Sequence, residues 1–160
     1  YFTFENLKDD LMTIIRLMTL DGYIPEVIVG PARGALIPGT MLSHYYNIPF
    51  QSFLYQLRDI DKEQDEAHLR AILDRNRGKR ILIIDDINDS GATLLGISKI
   101  VESSGVANDV KYSVLFTKTQ SGFQDISWSA KTLTPDNNPW VVFPYEEWWG
   151  FRSHGALSSP

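Results

Sequence analysis

The sequence predicts an α/β fold: one mostly parallel central sheet flanked by helices. Two observations predict it. Short apolar runs such as residues 26–30 (EVIVG) and 80–84 (RILII) are typical of strands buried on both faces, and they alternate with segments of helical period. The predicted order is helix, strand, helix, strand, charged segment, strand, helix, strand, which favours parallel pairing through right-handed crossovers. A chain of 160 residues suits a single domain.

The first half of the chain supplies two helices and two strands. Residues 4–19 carry apolar side chains at helical spacing, which predicts the first helix. The strand at residues 26–30 is followed by a predicted helix at residues 34–48, with Pro38 tolerated in its first turn. Residues 49–57 (PFQSFLYQL) are rich in aromatic side chains and predict the second strand.

The second half repeats the alternation. The strand at residues 80–84 precedes a predicted helix at residues 93–103, and residues 110–118 (VKYSVLFTK) predict a further strand. Residues 140–143 (WVVF) predict the last strand.

Composition excludes several classes of function. Hydrophobic residues at 43% and charged residues at 22% are ordinary for a globular protein. A net charge of −5 argues against a nucleic-acid surface, which needs dense Lys and Arg. The absence of cysteine rules out disulfides and thiolate zinc sites, and no apolar run approaches the roughly 18 residues of a membrane span. We therefore expect a cytoplasmic protein that binds neither nucleic acid nor membrane.

The segment DDINDSGAT, residues 85–93, is the strongest chemical signal. In parallel sheets ligands bind at the carboxyl ends of the strands, and this segment follows a buried strand and opens a helix. Ser90, Gly91 and Thr93 at a helix N-terminus suit a phosphate, although the Gly-Lys-Ser/Thr of a Walker loop is absent. Asp85 and Asp86 suit a sugar diol or Mg²⁺. A ribose 5-phosphate satisfies both halves, whereas paired aspartates that only cap a helix are the alternative.

The motif ILIIDDINDSGATL resembles the phosphoribosyl-diphosphate (PRPP) signature of type I phosphoribosyltransferases. The stretches YFTFENL, GPARGALIPGTMLSHYYNIPF, LFTK and WVVFPYEEW resemble segments of bacterial and archaeal xanthine-guanine phosphoribosyltransferases, in the same order. The resemblance implies a single phosphoribosyltransferase domain over residues 1–150 and a C-terminal tail at residues 151–160. It also implies a flexible lid at about residues 57–79 and a small base-binding hood at about residues 133–148.

The resemblance implies catalytic roles for three aspartates. Asp85 and Asp86 would bind the ribose hydroxyls, with Mg²⁺ nearby as the cofactor, directly or through water. Asp89 would act as general acid and base at N7 of a purine. The 5'-phosphate would be bound by the loop that follows: Asp89, Ser90, Gly91, Ala92 and Thr93.

Arg33 and Gly34 match the pyrophosphate loop of similar enzymes. The arginine would supply charge for the leaving group, and the glycine suits a strained peptide close to a ligand. Ala32 and Ala35 depart from the Ser and Gly that are common there. The alternative for Arg33 alone is a surface arginine.

The resemblance places base recognition late in the chain. Lys118 would contact O6 of a 6-oxopurine, Trp140 would stack on the ring, and main-chain groups of Val141 and Val142 would read the base edge. The alternatives are a solvated strand end for Lys118 and core packing for Trp140.

The charged segment 57–79 matches the mobile lid that keeps water from PRPP in similar enzymes. Arg58, Lys62 and Arg70 are the candidates for reaching pyrophosphate, although LYQLRD departs from the Ser-Ser-Tyr pattern often seen there. The alternative is a solvated helix with salt bridges, and both can hold.

Taken together, the resemblance implies a Mg²⁺-dependent glycosyltransferase of purine salvage. It would transfer phosphoribose from PRPP to guanine, xanthine or hypoxanthine and release a nucleoside 5'-monophosphate and pyrophosphate. Similar enzymes are homo-oligomers, so we expect a dimer or tetramer. The alternatives are a PRPP- or nucleotide-sensing regulator on the same fold, or a transferase for adenine, orotate or uracil.

Overall fold

The described residues form a wholly parallel five-stranded sheet in the order β2-β1-β3-β4-β5. A computed structural model describes residues 2–55 and 62–149. The predicted α/β class with a mostly parallel sheet flanked by helices is confirmed. The strands are β1 (Val27–Ala32), β2 (Phe50–Leu54), β3 (Ile81–Asn88), β4 (Val110–Lys118) and β5 (Trp128–Leu133).

Helices cover both faces of the sheet. Helices α1 and α2 share one apolar core with the sheet, and α3 and α4 share the other. A 3₁₀ turn precedes β4. The bounds are α1 (Phe4–Leu20), α2 (Leu36–Tyr46), α3 (Lys62–Arg75), α4 (Ala92–Ser103) and the 3₁₀ turn Ala107–Asp109.

The central strands are apolar along their length because both of their faces are buried. In β1, Val27 and Val29 belong to the core under α3 and α4, whereas Ile28 belongs to the core under α1 and α2. Strand β3 alternates in the same way, and all of these side chains are at most 1% exposed. This explains why the two strands read as continuous hydrophobic runs in the sequence.

The strand order reverses between β1 and β3, since the chain runs from β1 outward to β2 and then returns to the other side of β1. In parallel sheets such a reversal opens a crevice at the carboxyl ends of the two strands. The loops after β1 and β3 therefore meet at one place.

The prediction of a strand at residues 140–143 is wrong. Within the described chain these residues pair with no strand, and the last strand is β5. Pro139 and Pro144 flank the segment and cannot donate to a ladder, and the main-chain bond here joins Phe2 N to Val142 O at 3.1 Å. Strand β5 lies at the sheet edge with mixed burial, so it lacks the apolar run that marks the central strands.

The predicted lid range of residues 57–79 contains a packed helix. Helix α3 occupies most of it and buries Leu69, Ile72 and Leu73 in the core, each at most 1% exposed. Arg70 donates to Ser103 Oγ at 2.8 Å, at the end of α4 opposite the predicted phosphate loop, so it is not placed to reach pyrophosphate. Arg58 lies outside the described residues, and the lid at about residues 57–79 stays a prediction.

Across residues 2–55 and 62–149, no helix combines the length and apolarity that crossing a bilayer requires.

Candidate active site

A cavity of about 650 Å³ opens where the loops after β1 and β3 meet. The loop after β1 forms one wall, two aspartates of β3 and the start of α4 form the second, and the C-terminal segment closes the third. The lining residues used below are Arg33, Gly34, Asp85, Asp86, Thr93, Trp140, Val142, Tyr145, Glu146 and Glu147.

Asp85 and Asp86 are the buried charges of this cavity, each only 8% exposed. Asp85 Oδ1 accepts a hydrogen bond from Asp86 N at 2.8 Å, and Asp86 Oδ1 accepts one from Ile87 N at 2.7 Å. Burial, aided by the adjacent charge of Asp86, raises the pKa of Asp85 well above its usual range, and burial also raises the pKa of Asp86. Ligand hydroxyls or a cation would relieve this unfavourable burial of charge.

The predicted phosphate loop is a tight turn into α4. Gly91 caps the helix with a φ of 89°, and a Cβ at this position would lie 2.5 Å from Phe123 N. Ser90 Oγ accepts a hydrogen bond from Ala92 N at 3.2 Å, and Thr93 in the first helical turn lines the cavity. The N-terminus of α4, with its dipole and first-turn N–H groups, therefore lies beside the cavity.

The predicted pyrophosphate loop packs directly against Asp86. A Cβ at Gly34 would lie 2.6 Å from Asp86 Oδ2, so only glycine permits this close approach. The peptide bond between Ala32 and Arg33 is cis, and the exposed side chain of Arg33 lines the cavity. The structure thus brings Arg33, Gly34, Asp85 and Asp86 together at one cavity.

Lys118 and Asp89 form an ion pair, with Lys118 Nζ 2.6 Å from Asp89 Oδ1. The lysine side chain is 24% exposed and the aspartate side chain 61% exposed. Within the described chain, both residues are outside the set that lines the cavity. The two side chains predicted to face the same edge of a purine are therefore adjacent, at the ends of neighbouring strands β3 and β4.

Trp140 is not a core residue, because its side chain is 90% exposed and lines the cavity. Val142 also lines the cavity, and its carbonyl accepts the bond from Phe2 N. Val141 packs partly against the core under α1 and α2. Of the three predicted base-binding residues in this segment, Trp140 and Val142 thus reach the cavity wall.

Tyr145 is a site residue to which the sequence assigns no role. Its hydroxyl lies 3.4 Å from both Gly34 O and Asp86 Oδ2, so it connects the C-terminal segment to both other walls. Its ring stacks on Phe143 at 5.4 Å, and burial raises its pKa, which keeps the hydroxyl a neutral donor. The signal for it is only its position in WVVFPYEEW, because no spacing rule predicts contacts so far apart in the chain.

A family model for the phosphoribosyl transferase domain matches residues 3–148. The chain belongs to this family. The match includes residues from each of the three walls of the cavity described above. It confirms the predicted type I phosphoribosyltransferase fold and the prediction of an enzyme of this family.

One curated relative and several solved structures are similar to the chain. The hypoxanthine/guanine phosphoribosyltransferase of Methanocella arvoryzae is 28% identical over 139 residues, which span 81% of this chain and 70% of that protein. A purine phosphoribosyltransferase from Pyrococcus horikoshii superposes with a TM-score of 0.63 at 24% identity, covering 88% of this chain and 89% of the other.

Two further structures share the fold. A hypothetical protein from Neisseria gonorrhoeae with bound ppGpp has a TM-score of 0.71 at 19% identity, covering 91% of this chain and 88% of its own. The Helicobacter pylori xanthine-guanine-hypoxanthine phosphoribosyltransferase has a TM-score of 0.63 at 20% identity, covering 92% of both chains. At these identities the likeness establishes the fold.

Proposed function

We propose that this protein transfers the 5-phosphoribosyl group of PRPP to a 6-oxopurine, forming a purine nucleoside 5'-monophosphate and pyrophosphate. The observation that carries the proposal is the meeting of buried Asp85 and Asp86, the α4 N-terminus, and Arg33 at one cavity. The relative from Methanocella arvoryzae, named for hypoxanthine and guanine, supports the purine assignment.

The buried aspartates suit the sugar of PRPP. Asp85 and Asp86 accept hydrogen bonds from the ribose hydroxyls, which satisfies carboxylates that burial otherwise disfavours. As the bond from C1' to pyrophosphate breaks, positive charge develops on the ribose, and the nearby carboxylates stabilise it. The N–H groups and hydroxyls from Ser90 to Thr93 hold the 5'-phosphate at the other end.

Two carboxylates are a common set of protein ligands for Mg²⁺ in enzymes that act on phosphorylated substrates. Across residues 2–55 and 62–149, no group of three or more His, Cys, Asp and Glu side chains is arranged to hold a metal. Asp85 and Asp86 would therefore supply at most two ligands, as Mg²⁺ commonly accepts when substrate oxygens and water complete its shell. The bound ion would neutralise the leaving pyrophosphate. Arg33 adds a further positive charge at the cavity wall.

The Lys118–Asp89 pair is complementary to the edge of a 6-oxopurine. When the pair opens, the ammonium donates to O6 and the carboxylate accepts from N7–H, and Trp140 offers an exposed face for stacking. N9 forms the bond to C1', the C1'–oxygen bond to pyrophosphate breaks, and Asp89 takes the proton from N7. Adenine presents an amino donor to Lys118 and is disfavoured.

We also propose the following properties, in keeping with the resemblance to xanthine-guanine phosphoribosyltransferases. The enzyme acts in purine salvage in the cytoplasm as a homodimer or homotetramer, with main-chain groups of Val141 and Val142 at the base edge. Residues 133–148 form the base-binding hood.

A panel of bases tests the proposal. The purified protein is incubated with PRPP, Mg²⁺ and guanine, hypoxanthine, xanthine, adenine, orotate or uracil, and monophosphate products are separated by chromatography. We expect product from at least one 6-oxopurine and none from the other three bases. Product from adenine, orotate or uracil alone would overturn the base assignment, and no product from any base would overturn the activity.

A further inference from the structure

Asn88 carries a buried polar network that the proposed chemistry does not use. It is the last residue of β3 and is 2% exposed. Its amide nitrogen donates to Thr117 Oγ1 at 3.1 Å and to Phe123 O at 2.8 Å, and its amide oxygen accepts from Ser121 Oγ at 2.9 Å. The carbonyl of Phe123 fixes the orientation of the amide, because a flipped amide would face oxygen with oxygen.

The network holds residues 119–123, here called the buttress loop, against the phosphate loop. Gly122 N donates to Ser90 O at 2.8 Å, and Phe123 N donates to Ser121 Oγ at 3.1 Å. The buttress loop approaches Gly91 so closely that a Cβ there would lie 2.6 Å from Ser121 Oγ. The position of the phosphate loop therefore depends on the position of Ser121.

The same amide also reaches the base side of the site. Thr117, which accepts one of its hydrogen bonds, directly precedes Lys118, and Lys118 pairs with Asp89, the residue after Asn88. One side chain thus touches the strand that carries the predicted O6 donor and the loop that supports the predicted phosphate site.

We propose that Asn88 is a positioning residue, which holds the phosphate loop and the Lys118–Asp89 pair in one relative geometry. It thereby couples recognition of the 5'-phosphate to recognition of the base. The inference rests on the proposed function. Packing alone does not require this residue, because an apolar side chain would fill the end of a buried strand without burying an amide that must be satisfied on every side.

Two variants separate positioning from general stability. Asn88→Val removes the amide, and Ser113→Ala is the matched control, because Ser113 is a fully buried polar residue whose hydroxyl donates to Trp128 O at 2.8 Å, outside the Asn88 network. We expect Asn88→Val to raise the KM for PRPP about tenfold and the KM for guanine severalfold, since small displacements of binding groups are costly. Ser113→Ala should leave both KM values within about twofold of wild type.

A second readout does not depend on turnover. Amide hydrogen exchange at residues 90–92 and 119–123 should accelerate about tenfold in Asn88→Val and stay at the wild-type rate in Ser113→Ala. Ser121→Ala keeps Asn88 in place while it removes the anchor to the buttress loop. Ser121→Ala should show the same local acceleration of amide exchange. It replaces Asn88→Val as the test variant if Asn88→Val does not fold.

The outcomes separate the two proposals. If wild type makes no product, the proposed function fails, and the exchange comparison still shows whether Asn88 holds the phosphate loop. If wild type turns over but Asn88→Val and Ser121→Ala behave like Ser113→Ala in KM and in exchange, the positioning role is overturned and Asn88 only contributes to stability.

Discussion

Burial in the fold disfavours the negative charge of Asp85 and Asp86, whereas binding of the proposed substrate requires that charge. Both carboxyl groups are buried, and burial raises both of their pKa values. A group whose pKa is raised on folding favours the folded state when protonated and costs stability as pH rises through the folded value. The ligand-free protein should therefore be less stable at pH 7 than its packing alone would allow.

Asp85→Asn tests whether the buried charge of Asp85 lowers stability while it supports turnover. The amide keeps the acceptor for Asp86 N and removes the buried charge. We expect the free energy of unfolding at pH 7 to rise, because the variant has no buried charge at this position, and turnover to fall at least about 100-fold. Urea unfolding at pH 5, 6 and 7 should show that the difference shrinks toward low pH.

The exposed Asp9→Asn serves as the control for this experiment and should change neither stability nor turnover. A destabilised Asp85→Asn at pH 7 would contradict the account.

Gly91 has both a positive φ and no room for a side chain. Gly78 has a positive φ but open space around it, so it serves to separate the two effects. Gly91 has φ 89° and Gly78 has φ 80°, but a Cβ at Gly78 would meet nothing within 4 Å. Both alanine variants should lose about 1 kcal/mol of stability from the positive φ. Only Gly91→Ala should raise the KM for PRPP, by about tenfold or more, and equal KM values in the two variants would refute a phosphate role for the loop.

Lys118 carries the preference for a 6-oxopurine in the proposed function. Lys118→Met keeps the apolar stem and removes the charge, so we expect kcat/KM for guanine to fall by about 10- to 100-fold. The preference of the site for guanine over adenine should shrink as well, as measured by how strongly adenine inhibits turnover of guanine. Undiminished guanine turnover would show that another group reads O6.

Helix α3 lies within the predicted lid range and also packs three side chains into the core. Its buried Leu73 is fully enclosed, so Leu73→Ala should cost about 2–5 kcal/mol of unfolding free energy, whereas the exposed Glu63→Ala should cost little. Chemical denaturation measures both. A neutral Leu73→Ala would show that α3 is not anchored to the core.

Burial explains which central strands could be predicted, whereas edge strand β2 was predictable from its aromatic side chains. Strands β1, β3 and β4 were predictable because strands buried on both faces read as unbroken apolar runs. Edge strand β5 has mixed burial and therefore no such run in the sequence, so the pattern does not predict it. The apolar residues 140–143 form such a run and predict a last strand there, although they are not a strand. The phosphate loop was predictable because its residues are contiguous, whereas Tyr145 and Asn88 act through contacts between segments that only folding brings together.

At the scale of the whole molecule, an acidic protein is proposed to bind a polyanion. The net charge is −5, so attraction for PRPP must be local: the N-terminus of α4, Arg33 and a cation at the aspartates. The reversal of strand order between β1 and β3 brings these groups together from distant parts of the chain. The fold therefore supplies the site that overall composition would not predict.

The most direct test of the central claim is product stoichiometry with PRPP, Mg²⁺ and a 6-oxopurine. Nucleoside monophosphate and pyrophosphate are quantified in the same reaction for wild type and Asp85→Asn. We predict that wild type forms the two in equal amounts with guanine, hypoxanthine or xanthine and that the variant forms at most about one hundredth as much. Pyrophosphate without monophosphate, or neither product with any of the three bases, would contradict the claim.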